Sequence, residues 1–155
     1  MDNIYNKRHS LAHILMMATE KLFPGSLATI GPVIENGFYY DIDFSNAENI
    51  ENGKFEEKHL KDIKKEMKKI ISSNLDFTRE EISEENAREK FKKNKYKLEL
   101  IDLALTSDNP ILTIYKTGNE KFNWFDLCEG PHIKNTKEIA ENSWKLEKIS
   151  GAYFC

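Results

Sequence analysis

Asn36-Gly37 is the feature that most restricts the folds open to this chain. An Asn-Gly pair adopts the positive-φ tight turn that joins antiparallel strands. It lies between two apolar stretches, Ala28 to Ile34 and Phe38 to Phe44, so residues 28–44 are predicted to close a β-hairpin. Upstream, Leu11, Ile14, Leu15, Ala18 and Leu22 recur at helical spacing, predicting a helix over Asn6 to Phe23 that Pro24-Gly25 ends. Phe55 to Ser72 repeats the helical period with Leu60, Ile63, Met67, Ile70 and Ile71 on one face. Phe77 to Ile82 reads as a strand, and Ser83 as the N-cap of a helix covering Ala87 to Lys93. Tyr96 to Leu105 reads as a further helix. Ile111 to Tyr115 and Phe122 to Leu127 read as strands around Gly118-Asn119, and Trp144 to Phe154 as a last strand. Helices and antiparallel hairpins in mixed order make the chain α+β.

At 155 residues, one domain with a core of its own is expected. An aromatic content of 11% excludes a disordered chain, and a net charge of −3 excludes a globally basic binder. No apolar run approaches the roughly 20 residues of a membrane span. Only Cys128 and Cys155 are cysteines, too few for a disulfide framework, so a reducing cytoplasm is the expected compartment.

The four histidines are unevenly placed. His9 and His13 lie four residues apart, on one face of the first helix. Cys128 and His132 repeat that separation, but Gly130-Pro131 between them forbids a helix and implies a turn at a strand end. Taken singly, each pair has a plain structural reading, since chance His pairs are common in helices and cysteine is usually a small core residue. Together His9, His13, Cys128 and His132 form a complete donor set for zinc. The same four residues can equally surround water without metal. Asp126 precedes Cys128 by two and shares its strand face, where it would orient a histidine or hold an amine; a surface Asp is the simpler reading. His59, among Glu57, Lys58 and Lys61, is expected in solvent. Between Lys54 and Ile71 seven lysines face four acidic residues, a pattern that suits either a solvated helix face or RNA phosphates. In Phe38-Tyr39-Tyr40 the rings are expected in the hairpin core, with one hydroxyl free to face a cleft.

The motifs Arg8-His-Ser-Leu-Ala-His13, Ile30-Gly-Pro-Val-Ile-Glu-Asn-Gly-Phe-Tyr-Tyr-Asp41, Tyr96-Lys97, Asp126-Leu-Cys-Glu-Gly-Pro-His132 and Lys148-Ile-Ser-Gly-Ala-Tyr153 occur in order. Together they resemble the editing domain of bacterial-type threonyl-tRNA synthetase, and more distantly the alanyl-tRNA editing proteins. The resemblance implies a long helix packed on a curved antiparallel sheet that encloses an editing cleft. It implies hydrolysis of serine wrongly esterified to threonine tRNA, with the tRNA 3′ end as partner, the rest of a synthetase as a second candidate partner, and no membrane. By position, Lys97 matches a cleft lysine that contacts the terminal adenosine and assists water. Asp126 matches a carboxylate that recognises the seryl amine, and Tyr40 an aromatic wall. His9, His13 and His132 match polar cleft residues, and with Cys128 they are the zinc ligands of the alanine-specific relatives; the threonine type does not require metal. Glu129 stands where the family usually carries Arg, exchanging a phosphate contact for a repelling charge.

No aminoacylation core, ATP site or anticodon-binding domain is recognisable, so a single editing domain over 1–155 is expected. It would act as a fragment or as a stand-alone protein in trans, unable to charge tRNA by itself. The rival readings are editing of mischarged alanine tRNA and a non-catalytic, zinc-stabilised tRNA-binding module. The hairpin motif favours the threonine type.

Overall fold

The computed structural model describes residues 3–29, 33–34, 37–51, 54–108, 110–119, 123–128, 130–140 and 143–146. Helix α1 (Asn3–Leu22) is the centre of the molecule. Its residues 10–19 are buried on nearly every side, including Leu11, Ala12, Ile14, Met16, Met17 and Ala18. A helix enclosed in this way is apolar around most of its circumference, and its few buried polar residues, Ser10, His13 and Thr19, need partners.

Helix α2 (Glu57–Ser72) packs on α1 through Ile63, Met67 and Ile70, with lysines outward. Each such buried aliphatic contributes about 1.5–3 kcal/mol. The hairpin forms as short antiparallel pairs. Strands β1 (Leu27–Ala28) and β4 (Ile42–Asp43) pair with each other, and β2 (Val33–Ile34) pairs with β3 (Gly37–Phe38). The register Ile34↔Gly37 places Gly37 inside β3 and not in the expected Asn36-Gly37 turn; residues 35–36 lie outside the described residues.

The main sheet is an antiparallel meander of β5 (Asp76–Ile82), β6 (Leu112–Gly118) and β7 (Asn123–Leu127). Its β5–β6 register pairs Phe77 with Thr117, and its β6–β7 register pairs Tyr115 with Asp126. Helices α3 (Glu84–Lys90) and α4 (Lys95–Ala104) bridge β5 and β6. Ser83 caps α3 by accepting from the Asn86 backbone N–H, as its position predicts. A small satellite core of Ala87, Ile101 and Leu112 holds this pair. Layers of helix on antiparallel sheet make the fold α+β.

Two expectations need correction. His59 is 6% exposed, not solvated. It occupies the third position of α2, where its ring accepts the Glu56 backbone N–H at 2.8 Å and packs on Phe23 at 5.2 Å. Its charged neighbours in sequence point away while its own ring closes a capping box. Residues 144–146 form no strand, and Trp144 and Leu146 pack on the main core instead; 147–155 lie outside the described residues.

Candidate functional site

Helix α1 and the segment after β7 meet at one end of the sheet. The backbone leaves the sheet at Cys128, whose N–H donates to the Thr113 carbonyl and whose carbonyl accepts from the Thr113 hydroxyl at 2.7 Å. Gly130 then takes φ of +87°, and the Gly130-Pro131 peptide is cis. A Cβ at position 130 would fall 2.5 Å from the Tyr115 hydroxyl oxygen, so only glycine fits. This turn lays His132 against α1.

Three imidazoles and a thiol gather there. His9 stacks on His132 with centroids 4.1 Å apart, and His13 meets the same ring edge-on at 4.7 Å. Cys128 Sγ lies 3.4 Å from both His9 Nε2 and His132 Nε2, and accepts from the Gly130 backbone N–H at 3.3 Å. His9 Nδ1 lies 3.0 Å from the Pro131 carbonyl. A carbonyl only accepts, so this nitrogen carries the proton and Nε2 turns a lone pair toward the sulfur. His13 Nδ1 is 3.1 Å from His132 Nε2, while His13 Nε2 is buried with no hydrogen-bond partner among the described residues. Burial holds both His13 and His132 well below the ordinary histidine range, and the neighbouring imidazoles add to this. Burial also lowers His9, against the opposing pull of the Pro131 carbonyl. All three are neutral rings at pH 7.

A second cluster sits beside the first. Asn94 caps α4, accepting from the Tyr96 and Lys97 backbone N–H groups and donating to the Ala28 carbonyl at 2.8 Å. This fixes Lys97 facing β7, where its ammonium donates to Asp126 Oδ1 at 2.8 Å and to the Tyr40 oxygen at 3.0 Å. The Tyr40 hydroxyl donates to Asp126 Oδ2 at 2.8 Å, closing a ring of three. Lys97 and Asp126 are 3% and 6% exposed, so the surface reading of Asp126 is overturned. Burial, followed by the Asp126 charge, pushes Tyr40 well above its ordinary range, and it remains a neutral donor. The clusters feel each other: Asp126 raises His9 and His132, and Lys97 lowers His13. His9, Cys128 and Tyr40 are half-buried and give the site its face to solvent.

The structure thus brings together Tyr40, Lys97, Asp126, His9, His13, Cys128 and His132. The donor atoms of His9, Cys128 and His132 lie within 4.8 Å of one another, and this donor chemistry fits a borderline-soft ion such as zinc. His13 stands behind that triad rather than in it. Sequence reasoning passed over Ser10, inside the His-Ser-Leu-Ala-His motif, and Glu20, which accepts from the Trp124 ring N–H at 2.8 Å next to His13. Burial raises the Glu20 carboxyl. Glu129 lies outside the described residues. A surface groove of about 310 Å³, lined by Lys64, Lys68, Ser143, Trp144 and Lys145, lies on the α2 side, apart from these clusters.

A family model described as threonyl and alanyl tRNA synthetase second additional domain matches residues 112–151. The threonine–tRNA ligase of Gloeobacter violaceus is 43% identical over 155 residues, covering 99% of this chain. Residues 112–151 thus carry the match to that family, and nearly the whole chain is similar to one stretch of a threonine–tRNA ligase. The chloroplastic/mitochondrial threonine–tRNA ligase 2 of Arabidopsis thaliana is 43% identical over 99% of the chain, and that of Thermosynechococcus vestitus 47% over 95%. The chain spans 22–23% of the length of these relatives. The similarity is therefore to one part of these synthetases. No helix among the described residues is long and apolar enough to cross a membrane.

Proposed function

We propose that this domain hydrolyses the ester of serine misattached to threonine tRNA. The observation that carries the reading is the buried Lys97–Asp126–Tyr40 ring set against the neutral histidine cluster, in a chain whose relatives are threonine–tRNA ligases. Serine lacks one methyl relative to threonine, and a pocket that selects by that methyl gains only ~1–3 kcal/mol. A second site that excludes the larger amino acid by sterics supplies the missing discrimination.

The chemistry follows from the donors present. Asp126 has lone pairs to spare for the seryl ammonium, and the Tyr40 ring walls that end. His9, a neutral base with its Nε2 lone pair directed inward, accepts a proton from water as the water attacks the ester carbonyl. The Lys97 ammonium faces the developing oxyanion or the terminal ribose, in a setting where charge is weakly screened. The tetrahedral intermediate collapses, the ribose oxygen leaves with the proton that His9 took from water, and free serine and tRNA result. A zinc held by His9, Cys128 and His132 would polarise the carbonyl or acidify a water.

Because that triad also suits a structural metal, the second reading is a metal-stabilised tRNA-binding module without turnover. Elemental analysis and chelation separate the two. The editing reading expects seryl-tRNA(Thr) to be cleared by purified protein while alanine tRNA carrying serine persists. Folding lost on chelation, with no deacylation of either tRNA, would establish the module instead.

A further inference from the structure

The geometry points to Ser10 as the residue that sets the tautomer of His132, and through it the direction of the hydrogen-bond chain ending at His13. Ser10 is fully buried on α1, one residue from His9. Its Oγ accepts the Ile133 backbone N–H at 3.1 Å and lies 2.9 Å from His132 Nδ1. A serine hydroxyl has one proton to give. Among the described residues, His132 Nδ1 is the acceptor within reach of it, since Ser10 makes no bond back to its own helix. Leaving that proton unpaired in a dry interior would cost the desolvation of a hydroxyl. The Ser10 O–H therefore donates to Nδ1, and neutral His132 carries its proton on Nε2.

The consequence runs onward. His132 Nε2–H faces His13 Nδ1 at 3.1 Å, which must then accept. His13 keeps its own proton on Nε2, the buried atom with no partner among the described residues. Ile133 N–H, Ser10 O–H, His132 Nε2–H and His13 Nε2–H thus all point one way. Metal on His132 Nε2 would require the other tautomer, with Nδ1–H donating to Ser10 and the hydroxyl turned away. Ser10 is a positioning residue: it touches no reacting atom, but it governs whether His132 offers the site a proton or a lone pair.

Long-range ¹H–¹⁵N correlation spectra of the histidine rings in metal-free protein read this directly. His132 is expected with a pyrrole-type Nε2 and a pyridine-type Nδ1. Ser10→Ala is expected to shift it toward the Nδ1–H form or a mixture, and Ser10→Thr, which keeps the hydroxyl, to restore the wild-type pattern. A wild-type His132 protonated at Nδ1, or a tautomer indifferent to Ser10→Ala, overturns the assignment. The wild-type spectrum needs no variant to fold. A kinetic arm rests on the hydrolytic reading above: Ser10→Ala is expected to lower kcat about 10–100-fold with little change in KM. Absence of turnover in the wild type would defeat that reading while the spectra still judge Ser10.

Discussion

At the scale of single residues, Lys97 and Asp126 bear the greatest electrostatic load. Two opposite charges are held out of water, joined at 2.8 Å, with Tyr40 completing the ring. Such a pair stabilises little overall, but removing one partner strands the other at a cost of about 3–5 kcal/mol. Lys97→Met keeps most of the volume and removes the charge. It is expected to lower the unfolding free energy by about that amount and to slow seryl ester hydrolysis tenfold or more, assayed below the variant's midpoint. Normal turnover in Lys97→Met would remove the lysine from the chemistry.

At the scale of elements, the strand-end turn decides whether the imidazoles meet. Gly130 has no room for a side chain, with φ of +87° and the Tyr115 hydroxyl in the way. Gly130→Ala is expected to displace His132, lower the melting temperature by several degrees and reduce hydrolysis by at least tenfold; wild-type values of both would contradict the role of the turn. Much of this element structure was legible. The helical periods of α1 and α2 and the Ser83 cap are local signals, and these elements formed within a few residues of their expected bounds, whereas the expected hairpin strands appear among the described residues only as two-residue pairs. The i, i+4 spacing of His9 and His13 placed both on one helix face. Long-range matters were less visible. His59 looked solvated because its neighbours are charged, yet its capping contact turns it inward. Asp126 looked like a surface residue because its partners, Lys97 and Tyr40, come from distant elements. Ser10 carried no signal of its own, for a serine inside a helix announces nothing until its partner 122 residues away is known.

For the molecule as a whole, the buried histidines make stability depend on pH. His13 and His132 are held below the ordinary value of 6.5, so the unfolded chain binds protons that the folded chain refuses. Their contribution is complete above about pH 6.5 and is lost as pH falls below it, at up to about 1.4 kcal/mol per pH unit for each ring. Denaturant midpoints are expected to hold from pH 7.5 to about 6.5 and to fall from there to pH 5.5, and a midpoint flat or rising over that lower interval would mean the rings are not buried neutral. The proposed editing function rests on discrimination between two amino acids that differ by a methyl. The most direct measurement is single-turnover deacylation of threonine tRNA charged with serine and, separately, with threonine. The serine ester is expected to be hydrolysed at least a hundredfold faster, in keeping with the few kcal/mol that steric exclusion must supply. Equal rates for both, or loss of neither above the uncatalysed background, would contradict it.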